Sequence, residues 1–298
     1  MATPAPIASP TPAQWLEGAR PRTLPAAISP VLAGTGVAAW ADSFSWWRAL
    51  LALVVSLALQ VGVNYANDYS DGIRGTDEQR VGPLRLTGSG LARPSAVKRA
   101  AFLCFGIAAV AGLVLAIATA WWLVLVGLAC IVAAWYYTGG KHPYGYAGLG
   151  EVMVFIFFGL VAVIGTVYVQ TQDWQWAGLW AALGVGSLAC GLLVANNLRD
   201  LPKDAVVGKR TLAVILGDRT TRILYVALVV VACLAALLLA LATTSVALIT
   251  LGFLGVAIQG VRAVAGGAKG AQLIPTLQHT GQSELTWALL LAVALFAA

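Results

Sequence analysis

Long apolar runs alternate with short polar links along the whole chain. The runs recur at about 24–40, 48–67, 97–119, 121–138, 149–170, 177–197, 222–242, 246–265 and 284–298. Most come close to the roughly 20 residues that a helix needs to cross a bilayer. The pattern predicts an all-α fold, a polytopic membrane bundle of about nine transmembrane helices. Only Trp121 and Trp122 separate the third run from the fourth, and Trp is the residue of membrane interfaces. The last run is the shortest.

Polar positions fix the orientation. With the amino terminus inside and the spans alternating, Arg48 is the single basic residue in an external link. The other 18 − 1 = 17 Lys and Arg residues fall in internal links. So strong a bias predicts that the amino terminus and the two long internal links, about 70–95 and 199–221, are cytoplasmic. Links of that length in a membrane bundle usually carry function.

Composition agrees. Hydrophobic residues make up 60% of the 298 and charged residues 10%, well below the ~25% of a soluble domain. The net charge of +6 is explained by topology and does not call for a nucleic-acid partner. Cys104, Cys130, Cys190 and Cys233 sit singly in apolar runs, so no disulfide frame or zinc site is expected. Residues 1–12, rich in Pro and Ala, read as a disordered tail without the basic region of a cleaved signal peptide. Residues 13–298 read as one intramembrane domain.

Two acidic clusters break the apolar pattern. At the end of the second span, Asn64, Asn67, Asp68 and Asp71 share one helix face at i, i+3, i+4 and i+7. At the end of the sixth, Asn196, Asn197, Asp200 and Asp204 repeat the arrangement, with Pro202 as a point where the helix bends or ends. Both ends open to the same side, and the four intervening spans hint at an internal repeat. Carboxylates at the end of a membrane segment are costly without compensation.

Facing sets of hard oxygen ligands suit Mg²⁺, which binds through one or two carboxylates together with substrate phosphates. Arg74, Arg85, Arg199, Lys203, Lys209 and Arg210 could hold the remaining oxygens of a diphosphate. A diphosphate at a bilayer is most naturally attached to a lipid chain. If that chain is allylic, loss of diphosphate leaves a carbocation, which ring faces among Tyr65, Tyr69, Trp135, Tyr136, Tyr137, Tyr144, Tyr146 and Phe155 could stabilise.

The blocks NDYSDGIRGTD, RVGPLRLTGSG (80–90), YYTGGKHPYGYAGLGE (136–151) and NNLRDLPKDAVVGKRTLAVILG (196–217) resemble, in order, the intramembrane aromatic prenyltransferases of the UbiA superfamily, its menaquinone-pathway branch above all. The resemblance runs from about Arg20 to Gly217. It implies one prenyltransferase domain over 13–298, with its pocket at the cytoplasmic side. It implies Mg²⁺ held by Asp68, Asp71, Asp200 and Asp204, which would also be the catalytic residues. The implied reaction moves a polyprenyl group from a polyprenyl diphosphate to 1,4-dihydroxy-2-naphthoate, with loss of CO₂ and diphosphate. Substrate contacts would come from Asn64, Asn67, Asp77, Arg74, Arg85, Lys141, Asn196, Asn197, Arg199, Lys203, Arg22 and Tyr137. The superfamily pattern has a further Asp four residues after Asp71, where this chain has Gly75; Asp77 follows two positions later.

Arg22, Lys141 and Arg85 are the candidates to hold the acceptor's carboxylate, and Glu151 could pair with Lys141. Three other readings compete. A hydroxybenzoate, a homogentisate or a non-aromatic compound could be the acceptor. An ion-coupled transporter would need a polar path through the bilayer, whereas the mid-span runs are almost free of ionisable residues. A scaffold has no use for two acid clusters.

Overall fold

The structure is a computed structural model that describes residues 10–75 and 84–298. The described residues are helical throughout, without strands, and follow the apolar runs closely. In chain order they are α1 (Pro12–Gly18), α2 (Pro25–Trp40), α3 (Trp46–Arg74), α4 (Pro94–Ala118), α5 (Leu123–Tyr136), α6 (Gly150–Val154), a π-helical segment (Phe155–Ile164), α7 (Gly165–Thr171), α8 (Trp176–Val206), α9 (Leu212–Ala242), a 3₁₀ segment (Ser245–Phe253), α10 (Leu254–Ala265) and α11 (Ile274–Phe296).

Among the described residues, six of these spans are long and apolar enough to cross a membrane: α3, α4, the α6–α7 rod, α8, α9 and the 3₁₀–α10 rod. The α1–α2 pair, bent by 52°, makes a seventh if counted as one span. Length and composition therefore do not by themselves reach nine. α5 has only 14 residues. α11 has 23 residues but begins with a polar half.

That polar half departs from the apolar pattern, which starts the last element at 284. So does the start of α9 at Leu212, ahead of its run at 222 and across a break at Gly217. α11 begins ten residues earlier than its run because its hydroxyls fold back on their own backbone. Thr280 donates to the Thr276 carbonyl at 2.7 Å and Ser283 to that of His279 at 2.6 Å, a satisfaction that hydropathy does not see. α8 likewise runs through Pro202 to Val206 without ending there.

α8 is the central rod. Of its most apolar stretch 72% is buried inside the protein, against 33% for α3, α4 and α9. Small residues let its neighbours approach, as membrane helices require. Gly184 lies under the Trp287 ring, and Gly159 faces Gly186 backbone to backbone. One core unites α2, α8, α9, α10 and α11; a second unites α1, α3 and α4 with the loop at 84–92. The four cysteines are all free thiols.

Candidate active site

A cavity of about 1080 Å³ lies between these two cores. Its polar end is built from both acidic motifs: Asn67 and Asp71 of α3 face Asn196, Asn197 and Arg199 of α8. Arg20, Arg22, Arg85, Tyr137 and Lys209 complete it. From there the cavity continues between α3, α4 and α5 on one side and the π-helical segment, α7 and α8 on the other, and its lining becomes apolar.

The first motif divides into anchors and a cavity-facing acid. Asn64 lines the cavity, yet its amide donates to the Ala19 carbonyl at 2.9 Å and to the Thr23 hydroxyl at 3.0 Å. It ties down the turn between α1 and α2. Tyr65 helps by donating to the Trp15 carbonyl at 2.8 Å. Asn67 accepts from the Thr138 hydroxyl at 2.7 Å.

Asp68 is fully buried, and both its oxygens accept backbone N–H groups, from Leu86 at 2.7 Å and Thr87 at 2.9 Å. It does not line the cavity. The expected metal ligand Asp68 therefore acts in this structure as the clasp of the 84–90 loop. Gly72, one turn on, lets Thr87 pack where any side chain would clash. Asp71 does line the cavity. It accepts the Tyr146 hydroxyl at 2.7 Å and lies 3.8 Å from the Arg85 guanidinium.

Gly75 is the C-cap of α3, left-handed at φ 72°. A helix ending this way favours glycine, which accounts for the superfamily Asp missing there. Asp77 lies outside the described residues.

On α8, Arg199 grips Asp200 with two charge-assisted bonds of 2.7 and 2.6 Å, and it also donates to Asn196 at 2.9 Å. Asp204 is buried. Neither Asp200 nor Asp204 lines the cavity, although their neighbours do. Asn197 donates to Glu151 at 2.9 Å, so Glu151 pairs with α8 and not with Lys141.

Several expected contacts lie elsewhere. Lys141 and Lys203 are exposed and away from the cavity. Arg74 is turned onto the α5–α6 connection, donating to the Thr138 and Gly140 carbonyls. Of the eight candidate aromatic residues, Tyr137 and Tyr144 reach the cavity. Burial raises the Tyr144 hydroxyl, which donates to the Ala133 carbonyl at 2.8 Å. Tyr69 and Trp135, with Phe102, surround the Lys98 ammonium at 5.6–6.0 Å.

Phe157 and Phe158 line the cavity and were not expected to. The rod they belong to presents 153, 154, 157, 158, 161, 162, 165 and 166 to the cavity, a strip two residues wide that repeats every four. An α-helix overshoots by about 40° on each step of four. The wider π-helical turn undershoots, and the two together keep the strip straight.

Among the described residues, no three His, Cys, Asp or Glu side chains form a cluster that could hold a metal by themselves. The donor chemistry still fits Mg²⁺. It asks for one or two carboxylates and takes its other oxygens from phosphate and water, and Asp71 with the Asn67 and Asn196 amides supplies hard oxygens at the polar end.

The chain matches the UbiA prenyltransferase family over residues 27–277. It is 56% identical to the 1,4-dihydroxy-2-naphthoate octaprenyltransferase of Mycobacterium tuberculosis, over 95% of this chain and 97% of that one. It is 40% identical to the enzyme of the same name from Escherichia coli, over 70% of each chain. A UbiA homolog from Archaeoglobus fulgidus, solved with GPP and Mg²⁺, shares the fold with a TM-score of 0.72 at 13% identity, covering 96% of this chain and 100% of that one.

Proposed function

Because the chain belongs to the UbiA prenyltransferase family, we propose that it transfers a polyprenyl group from a polyprenyl diphosphate to 1,4-dihydroxy-2-naphthoate in the membrane, releasing diphosphate and CO₂ and yielding demethylmenaquinone. The observation that carries this reading is the two-ended cavity: guanidinium, ammonium and carboxamide groups at one end, an apolar groove at the other. Only a substrate with a charged head and a long greasy tail uses both.

The residues divide the work. Arg85, Arg199 and Lys209 hold the diphosphate oxygens; a fork-shaped guanidinium suits them. Asp71, with Asp200 and Asp204 set back on the facing helix, would hold Mg²⁺, which would supply Lewis-acid assistance to the departing diphosphate. Tyr137, Tyr144, Phe157 and Phe158 turn rings toward the cavity, where ring faces favour positive charge. The apolar walls exclude water, which would otherwise capture the allylic cation. Arg22, on the α1–α2 turn, stands at the same end and suits the acceptor's carboxylate. The concentration of basic residues in these links supports a cytoplasmic position for this end.

The test is purified protein with Mg²⁺, a polyprenyl diphosphate and a panel of aromatic acids, with product mass and CO₂ followed together. Turnover with the dihydroxynaphthoate and not with hydroxybenzoate or homogentisate is expected. The opposite preference overturns the acceptor, and no prenylated product overturns the reading.

A further inference from the structure

Three glycines line the apolar part of the cavity on three different elements: Gly112 of α4, Gly127 of α5 and Gly165 of α7. Glycine is a poor helix former, about 1 kcal/mol worse than Ala. In membrane helices it is usually retained because a neighbour packs where its side chain would be. Gly62, Gly159 and Gly184 are explained that way, with neighbours under 3 Å from a Cβ placed there. The three cavity glycines are not. A Cβ at Gly127 or Gly165 meets nothing within 4 Å, and one at Gly112 meets only Val55, at 3.9 Å. What each of them borders is the cavity.

They also sit at a common depth. Gly112 is six residues before the end of α4 at Ala118, and Gly165 six before the end of α7 at Thr171. Gly127 is four residues after the start of α5 at Leu123. At ~1.5 Å per residue these are about 9, 9 and 6 Å from the helix ends opposite the acidic motifs.

Just beyond them the groove ends on Val31, Ala52, Leu115, Leu123 and Val169, which line it and pack together. Arg48 seals the end by donating to the carbonyls of Val169 at 3.1 Å, Gln170 at 3.3 Å and Ala118 at 3.5 Å. From Asp71 to Ala52 on α3 the groove covers 71 − 52 = 19 residues, about 28 Å at the helical rise.

We infer that Gly112, Gly127 and Gly165 form a collar that sets how long an isoprenoid chain the groove admits. The space they leave is occupied by the distal units of a long donor and is never reached by a short one. The inference rests on the prenyltransferase reading and assigns to these positions the choice of donor length.

Gly112→Leu, Gly127→Phe and Gly165→Leu are each compared with wild type using an eight-unit polyprenyl diphosphate and the two-unit geranyl diphosphate. Gly106→Leu serves as control: it is a glycine of α4 that also has open space at its Cβ but does not line the cavity. The collar variants are expected to lose about tenfold or more in kcat/KM with the long donor, equivalent to ~1.4 kcal/mol. They should stay within about twofold of wild type with the short donor, which also reports that they fold. Gly106→Leu should change neither. Parallel losses with both donors, or no loss with either, overturn the collar. Absence of turnover by the wild-type protein with any donor overturns the prenyltransferase reading instead. In that case protection of the same variants against heat by each diphosphate still reads the collar: long-donor protection lost and short-donor protection kept supports it, and any other pattern sinks it.

Discussion

Asn197 donates its amide to Glu151 Oε1 at 2.9 Å, across from the α6 segment to the polar end of the cavity. A carboxylate can only accept there, so it fixes which end of the amide is nitrogen and leaves Asn197 Oδ1 as the atom to meet a donor. Glu151→Ala removes that partner and strands a buried amide, at a cost of about 1–3 kcal/mol. We expect kcat to fall by about tenfold or more. Glu151→Gln keeps an acceptor and should recover most of the loss. Equal loss in both variants would mean that the charge of Glu151, not its hold on Asn197, is what matters.

Lys209 lines the cavity, with its ammonium 5.0 Å from the Tyr146 ring, whereas Lys203 is exposed. Lys209→Ala should raise KM for the diphosphate donor about tenfold, a loss of ~1.4 kcal/mol. Lys203→Ala should stay within about twofold. Steady-state kinetics with the donor varied at saturating acceptor decides between them, and a larger effect at Lys203 would put the diphosphate outside this cavity.

Asp68→Asn turns one of two backbone-accepting oxygens into a donor facing an N–H group. The 84–90 loop should loosen, with a stability loss of about 1.5–3 kcal/mol for a bond to a charged acceptor. Faster tryptic cleavage at Arg85 is the readout. The Mg²⁺ concentration for half-maximal activity should not move; a shift of about tenfold would return Asp68 to the metal ligands.

Glu284 is fully buried in α11, and neither of its carboxylate oxygens has a hydrogen-bond partner among the described residues. An unpaired buried polar group is a liability, and replacing it with an apolar side chain of similar size is often neutral or stabilising. Glu284→Leu should match or exceed the wild type in thermal stability in detergent. A marked drop would show that the carboxyl has a partner this structure does not contain.

Gly184→Ala puts a methyl group 2.2 Å from the Trp287 ring, in the most buried rod of the bundle. Overpacking at such a site costs about 1–3 kcal/mol or more. Poor yield of folded protein is expected, with Trp287→Phe in the same chain restoring part of it.

Much of this was legible in the chain. Apolar run length placed the boundaries of most of the rods to within a few residues, because lipid imposes that length on any helix that crosses it. The pairing of the two acidic motifs on one cavity followed from helix periodicity and from counting spans. The division of labour inside the motifs did not follow. Asn64, Asp68 and Asp71 share one face, and only the folded loop decides that Asp68 meets Leu86 while Asp71 meets the cavity. Phe157 and Phe158 lie deeper in their run than the aromatic residues at its internal end, and the π-helical backbone that turns them to the cavity has no mark in the apolar pattern. Lys203 and Lys209 are alike in sequence as phosphate candidates, and only the direction of each in space separates them, Lys209 lining the cavity and Lys203 exposed. Glu151 could have been read from its place at the start of an apolar rod, but not its partner, 46 residues away.

The clasp on the amino-terminal turn has a bearing on biogenesis. Trp15 and Ala19 are fastened by Tyr65 and Asn64, 50 and 45 residues downstream. The ribosome therefore delivers α1 well before the helix that secures it, and the segment must wait at the lipid headgroups until α3 has left the insertion machinery. A nascent chain stalled short of Tyr65 should leave α1 open to added protease, and one extended past the 84–90 loop should shield it.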